Sequence, residues 1–369
     1  MGKKKDLNLH ESSLVRPETL KEDTHDLALR PRTLKEFIGQ KGMKENLDIF
    51  ISAAKERGDS LDHVFLIGPA GLGKTTMAQI VANEMGSGFV QTTAPALEKP
   101  KDLVGFLTNL KKGDVFFIDE IHSLKPAIEE LLYIAMEDYG IDWVVGQGPM
   151  ARTIRIAIKP FTLIGATTKA GVVSGPLINR FGITCRFSFY EQEDLKAIVH
   201  RSAGLLKIKI EDDAACLLAK SSRGTPRVVN QLLKRMRDFA QVSDLSKETH
   251  GSLETNGSLE THSSSITMNV VRTGLERLEI DELGLEKQDR EILKIIIERY
   301  KGGPVGAENL AITIGESVET LEDYYEPFLI QAGLLQRTSR GRVVTSFTYG
   351  HLGITPNAAN SSENGVLFQ

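Results

Sequence analysis

The sequence predicts an α/β domain over residues 27–190, with a parallel sheet between layers of helices, then a small all-helical domain and a terminal module of three helices and a hairpin. Three observations predict it. Short, wholly apolar runs at Val64–Gly68, Val115–Ile118 and Phe161–Ala166 alternate with amphipathic stretches between Leu29 and Tyr190; strands apolar at every position are those buried on both faces. From Gln192 to Val242 only helical periodicity remains, firmest from Pro226 to Ala240. Further on, Asp289–Tyr300, Ala307–Ile314 and Val318–Ala332 read as short helices, and Leu334–Thr345 as two strands about Ser339, Arg340 and Gly341. Gly302, Gly303 and Pro304 separate the first of these helices from the second. Three helices and a hairpin make a winged-helix module.

The flanks and junctions differ in composition. Residues 1–26 are polar, mixed in charge and aperiodic, which predicts a flexible arm, and residues 354–369 a flexible tail. The helical domain is placed at residues 191–279 and the winged helix at 280–353. Within the helical domain, about residues 243–268, lies a Ser/Thr/Gly-rich tract in which His250–Thr255 (HGSLET) is followed by Asn256–Thr261 (NGSLET). Such a tract buries too little apolar surface to offset the entropy of ordering, so a solvated linker is expected.

With 369 residues the chain is long enough for two or three cores. A hydrophobic fraction of 41% and a charged fraction of 25% are ordinary for a globular protein, and the net charge of -4 means that any nucleic-acid contact must come from a local patch. Cys185 and Cys216 have no paired ligand spacing and predict reduced thiols. Lys3, Lys4 and Lys5 precede no apolar run of signal-peptide length, and no stretch approaches the ~18 apolar residues of a membrane span. The reading is cytoplasmic, without membrane contact.

Gly68–Thr75 (GPAGLGKT) satisfies the phosphate-binding pattern GxxxxGK[ST] in full, between an apolar strand and a helix. Its glycines let backbone N–H groups turn toward phosphate oxygens, and the helix amino terminus adds positive potential. Lys74 is the candidate for the β and γ phosphates of ATP, and Thr75 for Mg²⁺. Val115–Glu120 (VFFIDE) ends a buried strand in two carboxylates, with Asp119 placed to hold the Mg²⁺ shell and Glu120 to orient and deprotonate water. A switch that binds ATP without hydrolysing it is the alternative, and Glu120 argues against it.

Further motifs follow in order: Leu29–Leu34 (LRPRTL), Phe37–Gln40 (FIGQ), Asp119–His122 (DEIH), Gly165–Thr168 (GATT), Asn179–Gly182 (NRFG), Arg223–Arg227 (RGTPR), Gly302–Gly306 (GGPVG), Leu335–Thr338 (LQRT) and Arg340–Arg342 (RGR). In combination they resemble the RuvB family of AAA+ branch-migration ATPases over about residues 26–353. The resemblance implies a P-loop ATPase domain, a helical lid and a winged-helix head. It places Leu29 and Arg30 near adenine and ribose, Gly71, Lys74, Thr75 and Thr76 on the triphosphate, and Glu137, Asp138 and Tyr139 in a further nucleotide-proximal segment. Tyr190 falls at the junction with the lid, Thr167 or Thr168 at the γ-phosphate sensor, and Arg227 at the second sensor. Arg180 matches an arginine finger delivered to a neighbour's ATP, which implies a homo-hexamer around duplex DNA. For Arg30, Arg180 and Arg227 the plain alternative is a surface salt bridge. Ala70 stands where the family often has proline, and Ser123 where it often has arginine. The family acts on Holliday junctions in recombination, repair and the SOS response, with RuvA and with the RuvC resolvase.

The winged helix carries its own signal. Its third helix, the usual major-groove reader, bears Glu319, Glu322, Asp323 and Glu326, whereas no acidic residue lies between Pro327 and Ser362. Phosphate contact is therefore expected from the hairpin, with Arg337 and Arg342 on opposite strands as the stronger candidates and Arg340 as the weaker. Arginines aimed at the backbone do not read sequence, which suits a motor better than an initiator or regulator. A clamp-loader-type subunit would not end in a winged helix.

A second hairpin is expected from Ile141–Val145 and Ile154–Ile158 about Gly146–Pro149. It carries Trp143, the only tryptophan, and in the family this projection docks on RuvA. The alternative is that Trp143 packs on its own domain.

Overall fold

The computed structural model describes residues 29–146, 152–248 and 265–355. The arm expected at 1–26, the tip of the second hairpin, the repeats of the Ser/Thr-rich tract and nearly all of the expected tail lie outside these residues. The chain divides into two units between Arg30 and Pro31. In the first, Leu29 is buried and Arg30 exposed.

The larger unit begins with α1 (Lys41–Arg57), β1 (Val64–Ile67), α2 (Lys74–Met85), β2 (Phe89–Thr93), α3 (Pro100–Asn109), β3 (Val115–Asp119), α4 (Pro126–Asp138), β4 (Gly140–Val145), β5 (Arg152–Ala157), β6 (Thr162–Thr167), α5 (Gly175–Ile178) and β7 (Ile183–Arg186). Five of these strands form one sheet in the order β2-β3-β6-β1-β7, every neighbouring pair parallel. The three apolar runs are its centre. The strands at its edges, β2 and β7, escape the apolar-run criterion because an edge strand need not be apolar throughout. The two-residue period divides the core. Val64, Leu66, Val115, Phe117, Ile164 and Ala166 face a cluster with Leu47 of α1 and Met77 of α2. Phe65, Ile67, Phe116, Ile118 and Leu163 face one with Leu103 of α3 and Ile128 of α4. Each fully buried side chain of this size stabilises the fold by roughly 1.5–3 kcal/mol relative to exposure.

The helical domain comprises α6 (Gln192–Leu205), α7 (Asp212–Lys220), α8 (Pro226–Glu248) and α9 (Met268–Arg277), with a short parallel pair of β8 (Lys209–Ile210) and β9 (Ser265–Ile266). The linker expected over 243–268 is therefore narrower, since α8 runs to Glu248 and β9 begins at Ser265. Leu195, Val229, Leu233, Val271 and Leu275 continue the cluster on the α1/α2 side of the sheet, so the lid and the ATPase-like domain share a core.

The winged helix has its own core around Leu293, Leu310, Leu329 and Val344. Its helices α10 (Lys287–Tyr300) and α11 (Ala307–Ile314) match expectation. The third helical stretch is composite: α12 (Val318–Thr320) passes through a π turn at Leu321–Tyr325 into α13 (Glu326–Gln331). The hairpin of β10 (Leu335–Thr338) and β11 (Gly341–Val344) follows, and then an unanticipated helix, α14 (Ser346–Leu352).

Candidate functional site

The carboxyl edge of the parallel sheet collects the phosphate loop, the paired carboxylates and the GATT motif. Gly71 and Gly73 adopt φ +83° and +98°, which side-chain-bearing residues rarely do. Gly68 is required by close approach, because a Cβ there would lie 2.8 Å from Phe187 Cβ. Lys74 is buried and its Nζ donates to the carbonyls of Gly68 at 2.7 Å and Pro69 at 3.0 Å, so the ammonium lies inside the loop. Burial lowers its pKa below the ordinary lysine value, Asp119 and Glu120 oppose that, and Arg227 adds to it.

Thr75 Oγ1 stands 3.5 Å from Asp119 Oδ2, two hard oxygen donors of the type that suits Mg²⁺. The loop, with no Cβ at its turning points, suits a triphosphate. Thr76 follows on the first turn of α2, half-buried. Glu120 has φ 50°, its N–H donates to Asp119 Oδ1 at 3.0 Å, and its Oε2 accepts from Thr168 Oγ1 at 3.2 Å. Thr167 and Thr168 are thereby distinguished: Thr168 touches Glu120, whereas Thr167, fully buried, lies 2.9 Å from His122 Nδ1 and accepts the N–H of Lys169 at 2.9 Å. Sequence reasoning assigns His122 no role beyond its place in the DEIH motif.

The lid reaches the same loop. Arg227 N–H donates to Gly71 O at 3.3 Å, and a Cβ on Gly71 would lie 3.2 Å from Arg227 Cβ. Tyr190 is buried, and its hydroxyl donates to Leu72 O at 3.1 Å. Burial drives its pKa far above the usual phenol value. Tyr190 and the backbone of Arg227 thus both border the phosphate loop.

Arg180 and Glu137 meet one another. Arg180 Nη2 pairs with Glu137 at 3.0 Å, Nη1 donates to Pro176 O at 2.9 Å, and the guanidinium lies over the Tyr133 ring at 4.7 Å. Its Nε is buried with no hydrogen-bond partner among the described residues. Asp138 pairs with Arg155 at 3.4 Å, and Tyr139 packs edge-on against Phe161. The structure thus brings Glu137 and Arg180 together, and Lys74, Asp119, Glu120 and Arg227 around the phosphate loop.

On the terminal hairpin Arg337 and Arg342 are cross-strand partners, as their spacing predicts. Both, the stronger candidates for phosphate contact, also meet carboxylates. Arg337 Nε donates to Glu326 Oε2 at 2.5 Å, Arg342 Nε to Glu326 Oε1 at 2.7 Å, and both guanidinium groups reach Glu322. Arg340, at the turn, is exposed, and among the described residues its side chain has no carboxylate partner. The acidic helix is thus the hairpin's counter-charge. Asp323 is used as well, since Lys169 Nζ, next to the GATT motif, pairs with it at 2.7 Å.

Trp143 is half-buried and packs on the second core cluster. Among the described residues of that hairpin the exposed large apolar ones are Val144 (59% exposed), Val145 (49%) and Ile154 (47%).

Comparison with known proteins agrees along the whole arrangement. Residues 29–187 match the family model described as the Holliday junction DNA helicase RuvB P-loop domain, 190–255 the RuvB AAA lid domain, and 282–353 the RuvB C-terminal winged helix domain. A Treponema denticola protein named Holliday junction branch migration complex subunit RuvB is 61% identical over 354 residues, covering 96% of this chain and 98% of that protein. Its Treponema pallidum namesake is 58% identical over 97% of this chain and 99% of its own length. The solved Thermotoga maritima RuvB Holliday junction branch migration motor aligns with a TM-score of 0.77 at 46% identity, covering 89% of this chain and 99% of that one.

Proposed function

The chain belongs to the RuvB family, and from that premise we propose that it hydrolyses ATP to drive branch migration of Holliday junctions in recombination and repair. The single observation that carries the reading is the convergence of Lys74, Thr75, Asp119, Glu120 and Arg227 on one phosphate loop at the sheet edge. We take residues 27–190 as the ATPase domain, 191–279 as the lid and 280–353 as the head.

Loop N–H groups and Lys74 hold the β and γ phosphates. Tyr190 and the lid border the base and ribose, for which Leu29 and Arg30 are the motif's further candidates. Thr75 would ligate Mg²⁺ and Asp119 would hold its shell, and the ion would supply charge neutralisation at the phosphates. Glu120 takes a proton from the attacking water, and Thr168 reports the γ-phosphate to that carboxylate. Arg180 completes a neighbour's site, with Glu137 and Tyr133 holding its guanidinium at the subunit surface. Hydrolysis then requires assembly, and a closed homo-hexamer around a duplex arm satisfies that requirement. Arg340, supported by Arg337 and Arg342, contacts the sugar–phosphate backbone without reading bases. The hairpin bearing Trp143, through its exposed Val144 and Ile154, docks on RuvA, and the RuvC resolvase acts with the same assembly. Cytoplasmic action and a place in the SOS response belong to this reading; among the described residues no helix is long and apolar enough to cross a membrane.

The test mixes the protein with RuvA, Mg²⁺ and ATP on a synthetic four-way junction. Separated duplex products are expected, absent with Glu120→Gln. Intact junctions, in the presence of a working reference pair, would remove the motor assignment.

A further inference from the structure

We propose that His122 positions Glu120 for hydrolysis, bridging it to Thr167 so that one carboxylate oxygen is fixed and the other is left for the attacking water. The inference rests on Glu120 being the general base.

The backbone first aims the carboxylate. Glu120 occupies the left-handed region at φ 50° and ψ 45°, an arrangement that persists in a non-glycine residue only when its surroundings impose it. The turn Ile121–Ser123 follows at once and brings His122 back beside Glu120. Gly165 of β6 leaves room for that turn: a Cβ there would stand 2.6 Å from Ile121 Cδ1 and 3.0 Å from Phe181 Cζ, so both side chains would have to shift.

The contacts then select one oxygen. Thr168 Oγ1 donates to Glu120 Oε2 at 3.2 Å, and His122 Nδ1 lies 3.3 Å from the same Oε2. Among the described residues nothing engages Oε1. His122 is largely enclosed, 13% exposed against 39% for Glu120, so the ring has little freedom to leave. The same Nδ1 is 2.9 Å from Thr167 Oγ1, so its single N–H lies between that hydroxyl oxygen and the more distant carboxylate oxygen. Thr167 is a fixed anchor: its hydroxyl accepts Lys169 N–H at 2.9 Å, and its carbonyl accepts the N–H of Gly68 at 3.2 Å. The bridge therefore registers the base against the loop that holds the phosphates. A histidine that only filled space would not need its Nδ1 between a hydroxyl and the catalytic carboxylate.

The experiment is steady-state ATP hydrolysis by the full chain with Mg²⁺ and duplex DNA, comparing the parent, Glu120→Gln, His122→Ala, His122→Asn and His122→Gln. With Glu120→Gln inactive, His122→Ala should lower kcat on the order of 10²-fold, as a displaced catalytic group does, and leave KM for ATP within about twofold. Asn carries an amide N–H near the place of Nδ1 and should recover roughly tenfold of the loss; Gln, whose amide falls near Nε2, should not. The proposal is overturned if His122→Ala turns over like the parent while Glu120→Gln is inactive, or if Asn falls as far as Gln, which would mark a packing defect. Should His122→Ala melt early, the Asn and Gln pair decides. Full turnover by Glu120→Gln is a different failure, that of the general-base reading beneath the proposal.

Discussion

Arg342 Nε donates to Oε1 of Glu326 at 2.7 Å, and Glu326 is wholly buried on α13. Arg337, across the hairpin, takes the other oxygen, so one buried carboxylate joins both strands of the hairpin to the helix. A buried charge is tolerated only when paired, and removing one partner leaves the other uncompensated.

The two kinds of hairpin arginine should therefore respond differently to removal. Arg342→Ala should destabilise the protein by roughly 3 kcal/mol in urea unfolding, whereas Arg340→Ala should leave stability within about 0.5 kcal/mol of the parent. Arg340→Ala should instead weaken duplex binding and lower the slope of log K against log salt by about 0.9 for each phosphate no longer neutralised. Parental binding by Arg340→Ala, together with abolished binding by a fully stable Arg342→Ala, would restore Arg342 as the residue that meets phosphate.

Stability should also depend on pH through a second buried carboxylate. Arg223 of the lid and Asp289 of α10 form a buried ion pair, with the guanidinium 4.8 Å from the Phe328 ring centroid. Burial raises the Asp289 carboxyl to about 6, against the attraction of Arg223. The folded pKa lies above the unfolded value of 3.8, so the folded state binds this proton more tightly. The stability this supplies is complete below pH 3.8 and is lost as pH rises through about 6. Asp289→Asn cannot ionise, so unfolding midpoints at about pH 4.5 and 7.5, on either side of that folded value, should show the variant gaining on the parent at the higher pH. An unchanged difference would contradict the linkage.

Two glycines should respond in opposite directions. Gly68→Ala places a Cβ 2.8 Å from Phe187 Cβ and 2.9 Å from Phe187 O, so it should destabilise the chain by roughly 1–3 kcal/mol and weaken ATP binding. Gly105, inside α3, meets nothing within 4 Å, and Gly105→Ala should stabilise by up to ~1 kcal/mol through helix propensity. Calorimetry and nucleotide titration check both.

The β4–β5 hairpin divides by side. Ile154→Asp, at an exposed apolar position, should abolish capture of RuvA with little change in melting temperature. Trp143→Ala should destabilise by a few kcal/mol, because its ring packs on the domain core. Equal loss of capture from both variants at unchanged stability would return Trp143 to the docking surface.

Much of this arrangement is legible in the sequence where the signal is contiguous. The phosphate loop, Asp119 and Glu120 are read from one strand end and one turn, and the central strands from unbroken apolar runs. The cross-strand pairing of Arg337 and Arg342 follows from spacing about a tight turn. What is not legible depends on which distant partners meet. The acids of the third helical stretch read as phosphate-repelling, yet Glu322 and Glu326 neutralise the hairpin arginines and Asp323 pairs with Lys169. His122 meeting Thr167, and Arg223 meeting Asp289, likewise require the fold. The edge strands β2 and β7 are missed because their burial comes from the sheet and not from their own composition.

Everything proposed for the motor turns on one subunit's Arg180 completing another's ATP site. Among the described residues Arg180 meets Glu137, Pro176 and Tyr133, none of them in its own phosphate loop. ATP turnover by Arg180→Ala, measured with its assembly state by light scattering, tests this most directly. With assembly and ATP binding intact, turnover should fall on the order of 10³-fold or more. Parental turnover by a normally assembled Arg180→Ala would contradict it.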